Sequence, residues 1–96
     1  MQVRNESLAI GTSQASVASQ VAEGQRTLIC FTNTSLIGET ITLSFGEQAT
    51  AGAGVVLNPT KSWSESMDST FRPFAGQIYA IASAATATLA VHERLG

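Results

Sequence analysis

Apolar and polar residues alternate with a period of two along much of this chain, and this alternation constrains the fold more than any other feature. The clearest example runs over residues 39–45, where Ile41, Leu43 and Phe45 are separated by threonine and serine. Successive side chains of a β-strand point to opposite faces, so this spacing predicts a strand with the three apolar side chains facing the core. Gly46 then permits a turn.

The rest of the chain supports the same class of structure, because no window combines helical spacing with a cap at its start and a glycine at its end. Short runs bounded by turn residues predict further strands over residues 3–10, 15–21, 26–33, 55–57, 62–69, 78–82 and 87–93. About eight short strands at this spacing are typical of a sandwich. We therefore expect one all-β domain over residues 1–96, a two-sheet antiparallel β-sandwich resembling a jelly roll. An alternative for residues 1–25 is a partly extended N-terminal arm.

Two of these strands, residues 26–33 and 78–82, are apolar on both faces. Strands of this kind are either central in the fold or covered by another subunit. If either strand lies at an outer surface of the sandwich, a single core cannot bury both of its apolar faces. We therefore expect burial against identical copies for four side chains: Ile29, Phe31, Tyr79 and Ile81.

The composition gives a small domain few means of support within one chain. The 96 residues include one cysteine and one histidine, which excludes an internal disulfide and cannot complete a tetrahedral metal site. Charged residues make up 12%, roughly half the usual share. Small domains without disulfides or metals depend on partner subunits. We therefore expect a cyclic homo-oligomer with no metal or other cofactor.

Charge and hydropathy also exclude several partners. The net charge is −2, and the five basic residues are scattered without forming a patch, so we expect no nucleic-acid partner. No segment reaches the roughly 18 apolar residues of a membrane span. Residues 1–6 have neither the basic run nor the apolar block of a signal peptide, which predicts synthesis in the cytoplasm.

No pattern indicates catalysis. His92 stands beside Glu93 in a predicted strand, where neighbouring side chains point to opposite faces, so we expect His92 to be an outward polar residue. Cys30 lies in the most apolar stretch and is expected to behave as a small buried hydrophobe. We therefore predict that the protein is not an enzyme.

Aromatic residues cluster in the second half of the chain: Trp63, Phe71, Phe74 and Tyr79. Phe71, Arg72, Pro73 and Phe74 form a compact loop motif. One interpretation is that these rings fill the core. The other is that they contact a neighbouring protein or a glycan, since aromatic residues and arginine are enriched at interface centres.

The order of these features resembles small bacteriophage virion proteins of the head-decoration, vertex and minor capsid type. The similarity lies in residues 26–35 (RTLICFTNTS), 41–46 (ITLSFG), 54–59 (GVVLNP), 76–83 (GQIYAIAS) and 89–93 (LAVHE). Thr60 follows Pro59 at a position where such proteins often carry glycine.

The resemblance implies a β-sandwich or jelly roll without enzymatic activity that assembles symmetrically on an icosahedral particle. The expected function is then a structural component of a phage particle that contacts the major capsid protein and is located in the virion after synthesis in the host cytoplasm. The alternative is a carbohydrate- or receptor-binding module in which Trp63 and Tyr79 stack on a host glycan.

Overall fold

A computed structural model of the chain describes residues 2–36 and 38–96. The expected single domain spans residues 1–96, and of these Met1 and Ile37 lie outside the described residues. The described part contains eight strands and no helix, and therefore no helix able to cross a membrane. The strands are β1 (Gln2–Ile10), β2 (Ala15–Ala18), β3 (Arg26–Asn33), β4 (Ile41–Phe45), β5 (Val55–Leu57), β6 (Ser62–Ser66), β7 (Ile78–Ala82) and β8 (Ala87–Leu95). The expected all-β class is confirmed.

The strands form two antiparallel sheets in a jelly-roll arrangement. Along the chain β1 pairs with β8, β2 with β7, β3 with β6 and β4 with β5, as in one long hairpin folded on itself. The hairpin wraps so that β8 also pairs with β3, and β7 with β4. Sheet A has the order β1-β8-β3-β6 and sheet B the order β2-β7-β4-β5, which makes the sandwich a double Greek key.

Both N-terminal strands belong to the sheets. All nine residues of β1 pair with β8, and β2 pairs with β7. Each is an edge strand of its sheet. The alternative expectation of an extended arm therefore does not describe residues 2–18; β2 is only shorter than expected, ending at Ala18.

The core lies between the sheets and receives buried apolar side chains from every strand except β6. Ile41 and Leu43 are fully buried, as the alternation predicts, and Phe45 is half-buried against the core. Burial of these apolar side chains is the main stabilising contribution in a domain this small.

The expected subunit contact through Ile29 and Phe31 is wrong. Both side chains are completely buried within one chain, because β3 turns them toward the core beside the buried Val91 of β8. The outward side chains of β3 are instead Leu28 and Cys30, which are partly exposed.

The outer face of sheet B is partly covered by the loop over residues 46–54. Thr42 and Ser44 point outward from β4 yet are buried, because Gly52 N donates to Thr42 Oγ1 at 3.1 Å and Ser44 Oγ donates to Gln48 O at 3.4 Å. In the same loop, Ala49 N donates to Gln14 Oε1 at 2.6 Å. Gln14 directly precedes β2, which lies on the other side of β7 from β4. This hydrogen bond therefore spans the outer face of β7.

Tyr79 and Ile81 lie on that same outer face, opposite Ser44 and Thr42 respectively. Both are half-buried rather than open. The second apolar face of β7 is thus shielded in part by a loop of the same chain.

A buried arginine fastens one end of the sandwich. The Arg26 side chain is 0% exposed, and its Nε donates to Glu93 Oε2 at 2.7 Å. Its Nη1 donates to Phe74 O at 2.5 Å and to Gly76 O at 3.3 Å, and its Nη2 donates to Ser19 O at 2.7 Å. The ion pair therefore holds two connecting segments against β3 and β8.

Arg4 lies on the other side of the same carboxylate. Its Nε is 3.3 Å from Glu93 Oε1, and its Nη2 donates to Val17 O at 2.7 Å. Since Val17 belongs to sheet B and Glu93 to sheet A, this second arginine links the two sheets.

The turn before β6 contains the one non-glycine residue of the described chain with a positive φ. Lys61 N donates to Asn58 O at 3.0 Å, Pro59 follows Asn58, and Thr60 has φ 71°. This is the pattern of a type II turn, whose third position favours glycine. A β-branched residue there is strained.

Candidate interaction surfaces

Three aromatic rings pack together where β4, β6 and the segment before β7 meet, and we call Phe45, Trp63 and Phe74 the aromatic cluster. The Phe45 ring lies edge-on to Trp63 with centroids 6.4 Å apart, and edge-on to Phe74 with centroids 5.8 Å apart. Such edge-to-face pairs are favourable beyond the area that they bury. Two of the expected contact residues, Trp63 and Phe74, are thus brought together by a third ring.

The Phe74 ring rests on glycine backbone. A Cβ atom at Gly46 would lie 3.0 Å from Phe74 Cζ, and one at Gly76 would lie 2.5 Å from the same atom. Side chains at these positions would displace the ring, so the glycines allow the cluster to form.

Trp63 both fills the core and reaches the surface. It lies on β6 opposite the buried Phe31, which turns its ring toward the inside of the sandwich. Because β6 is an edge strand, 38% of the residue stays exposed. The ring thus contributes to the inside of the sandwich, and the interpretation that it contacts a partner stays a prediction.

The connection from β6 to β7 is shaped by two carboxylates. Asp68 Oδ1 accepts hydrogen bonds from Thr70 N and Phe71 N, each at 2.8 Å, and from Thr70 Oγ1 at 3.1 Å. These bonds hold the pKa of Asp68 below its ordinary value of 3.8. Glu65 Oε1 accepts from Phe74 N at 3.1 Å and so fixes the far end of the segment.

This connection presents Phe71 and Arg72 to solvent. Phe71 is 44% exposed just after the Asp68 turn, and Arg72 is also exposed. Both side chains are therefore accessible to a partner, and they are not members of the aromatic cluster.

The outer face of sheet A brings Cys30 and His92 together as cross-strand neighbours. His92 Nδ1 lies 2.5 Å from Asn5 Oδ1, and Arg94 Nε donates to His92 Nε2 at 3.2 Å. Since the arginine can only donate, Nε2 accepts and Nδ1 carries the proton. Both ring nitrogens are therefore engaged, and neither serves as a base for the Cys30 thiol.

Of these two side chains, His92 lies where the sequence predicts it and Cys30 does not. His92 faces outward, as predicted, but Cys30 also lies on this partly exposed face and not in the core. The alternation places it there, opposite the inward Ile29 and Phe31 of the same strand.

Two shallow depressions lie away from the aromatic cluster. One of about 360 Å³ lies on the outer face of sheet A beside Cys30 and His92. The other, of about 430 Å³, lies at the end of β1 beside Arg4 and Glu93. Neither is lined by Trp63 or Tyr79.

Sequence reasoning missed the buried pair of Arg26 and Glu93 and the anchoring role of Glu65. Within residues 2–36 and 38–96, no group of three histidine, cysteine, aspartate or glutamate side chains is placed to hold a metal ion. Comparison with protein-family models, with curated proteins and with solved structures finds no match to this chain. The resemblance to phage virion proteins therefore stays a prediction.

Proposed function

We propose that the protein is a non-catalytic structural component of a phage particle, which decorates or stabilises the capsid as a cyclic homo-oligomer. The observation that carries the proposal is the jelly-roll strand order, an arrangement used by viral capsid domains. Fold alone does not fix function, so the surfaces must also suit the task.

The outer face of sheet A suits assembly. Strand register turns outward the odd-numbered residues of β1, the even-numbered residues of β6 and β8, and residues 28, 30 and 32 of β3, and Arg94 is the only Lys, Arg, Asp or Glu among them. Most side chains on this face are short, because most of its residues are serine, alanine or threonine. Interface cores are depleted of charge, so a second copy can approach closely here.

The half-buried Tyr79 and Ile81 offer a second contact on the outer face of sheet B. Many such weak contacts add up through multivalency on a symmetric particle, and closed symmetry limits growth. The major capsid protein is the expected heterologous partner.

Light scattering at micromolar concentration tests the proposal directly. The expected mass is a whole multiple of the 10.0 kDa chain, and a mass of one chain would overturn the homo-oligomer. Ala90→Glu and Tyr79→Glu charge the outer faces of sheets A and B, and at least one should lower the mass. Thr12→Glu, in the exposed loop after β1, is the matched control and should leave it unchanged.

The alternative is a carbohydrate- or receptor-binding module, favoured by the partly exposed Trp63 and by the use of jelly rolls in lectin domains. A glycan array separates the two, since a shell component should show no glycan preference. A specific signal that disappears in Trp63→Ala would favour the alternative. A major capsid gene beside the gene for this chain would favour the virion.

A further inference from the structure

Among the described residues, none forms a hydrogen bond with the outward backbone groups at the free edge of β6. Asn33 N donates to Lys61 O and Met67 N donates to Thr27 O, so the odd-numbered residues of this strand turn their backbone groups toward β3. In an antiparallel ladder the alternate residues point the other way. The N–H and C=O groups of Ser62, Ser64 and Ser66 therefore point away from the sheet, and all three residues are exposed.

The inward side of the same edge has a defined chemistry. Trp63 is 38% exposed and Met67 is 37% exposed, with Glu65 between them at the same spacing of two. Glu65 Oε1 accepts from Phe74 N, and Oε2 makes no hydrogen bond within the described residues. The edge thus offers two apolar surfaces on either side of one available carboxylate oxygen.

We infer that the free edge of β6 binds an extended segment of another protein, which adds to sheet A as a fifth strand. Its backbone pairs with Ser62, Ser64 and Ser66, as in recognition by strand addition. Its side chains opposite Trp63 and Met67 are apolar, and the one opposite Glu65 is lysine or arginine. The segment therefore has the pattern apolar–x–basic–x–apolar, which reads the same in either strand direction.

The partner is a different chain and not a second copy. Lys61, between Pro59 and Trp63, is the only one of the five basic residues with apolar side chains two positions away on both sides, and the N–H of the adjacent Thr60 is already donated to Asn33 O of its own chain. β6 contains no proline or lysine, and its one charge, the inward-pointing Glu65, opposes pairing with any strand that has no basic residue opposite it. The inference rests on β6 alone and holds whether or not the protein is part of a virion.

The probe is an acetylated, amidated peptide of sequence Thr-Val-Thr-Lys-Thr-Leu-Thr, titrated into the ¹⁵N-labelled full chain. We expect amide shifts and slower hydrogen exchange at Ser62, Ser64 and Ser66, and weaker binding of the same peptide with glutamate in place of lysine. Glu65→Lys should reverse this preference, since it exchanges the charge at the centre of the edge.

Two variants of Ser64 separate strand addition from general stickiness. Ser64→Pro removes one outward N–H without breaking a bond to β3, and should weaken peptide binding about tenfold or more. Ser64→Thr keeps the N–H and should bind as the unmodified chain does, while unchanged β3 and β8 amide signals show that both variants are folded. Three outcomes overturn the inference: no shift at these serines with millimolar lysine peptide, equal binding by Ser64→Pro, or shifts confined to β1.

Discussion

Replacing Arg26 by leucine tests how far one buried ion pair supports the sandwich. The substitution removes four hydrogen bonds, to Glu93, Phe74, Gly76 and Ser19, and leaves the Glu93 carboxylate 6% exposed with only Arg4 nearby. Removing one partner of a buried pair costs about 3–5 kcal/mol, because the remaining charge is uncompensated. Marginal stability at about 0.05–0.15 kcal/mol per residue gives this chain about 5–14 kcal/mol in total. Arg26→Leu should therefore remove a large share of it.

Arg4→Leu is the matched control. Its side chain is 33% exposed, and its strongest hydrogen bond is the one to Val17 O. The expected loss is about 1 kcal/mol, the usual contribution of one such bond. Because the chemical change is the same, the contrast between the two arginines measures what the buried position of Arg26 and its four hydrogen bonds contribute together.

Urea unfolding, followed by the fluorescence of the single tryptophan, measures both losses. The double variant Arg26→Leu/Glu93→Leu should lose less than the sum of its single variants, by about 0.5–3 kcal/mol, because neither the buried arginine nor the buried carboxylate remains without the other. The reasoning is refuted if Arg26→Leu costs no more than Arg4→Leu, or if the double variant is additive.

Three further outcomes are expected. Leu43→Ala should lower the free energy of unfolding by about 2–5 kcal/mol, since Leu43 is 0% exposed, and an unchanged urea midpoint would contradict its place in the core. Thr60→Gly should raise it by about 0.5–1 kcal/mol, because the strain relieved exceeds the added chain entropy, whereas Thr60→Ala should give no such gain. The Asp68 turn should be intact above pH 3.8 and should loosen as the pH falls through the lowered pKa of Asp68, because protonation weakens the hydrogen bonds that the carboxylate accepts. The amide chemical shifts of Thr70 and Phe71 report this titration, and Asp68→Asn should abolish it.

The strands were predictable because alternation and turn residues are local signals. Residues 26–33, 55–57 and 78–82 are strands with the expected bounds, and the inward side of β4 follows from its clean pattern. Alternation shows which side chains share a face of a strand. It identifies the face that points to the core only where one face is apolar and the other is polar. On β3 both faces are largely apolar, so the sequence does not show that Ile29 and Phe31 are the residues that point to the core.

The rest depended on contacts between distant parts of the chain. Thr42 and Ser44 look like outward polar residues, and only the course of the loop over residues 46–54 shows that they are buried. The partner of Arg26 lies 67 residues away, at Glu93. The aromatic cluster was visible only as a clustering of rings, because Phe45 joins it from β4.

The position of β8 has a consequence for how the chain folds. This last strand lies inside sheet A, between β1 and β3, and every residue of β1 pairs with it. On the ribosome, β1 therefore waits for residues 87–95 before it gains any neighbour, and β3, which can pair earlier with β6, waits for them with its other edge unpaired. Topologies dominated by such distant pairings fold slowly, and uncovered strands of this kind are prone to aggregate. Translation speed and chaperone supply should thus affect the yield of this protein more than that of a helical domain of equal length.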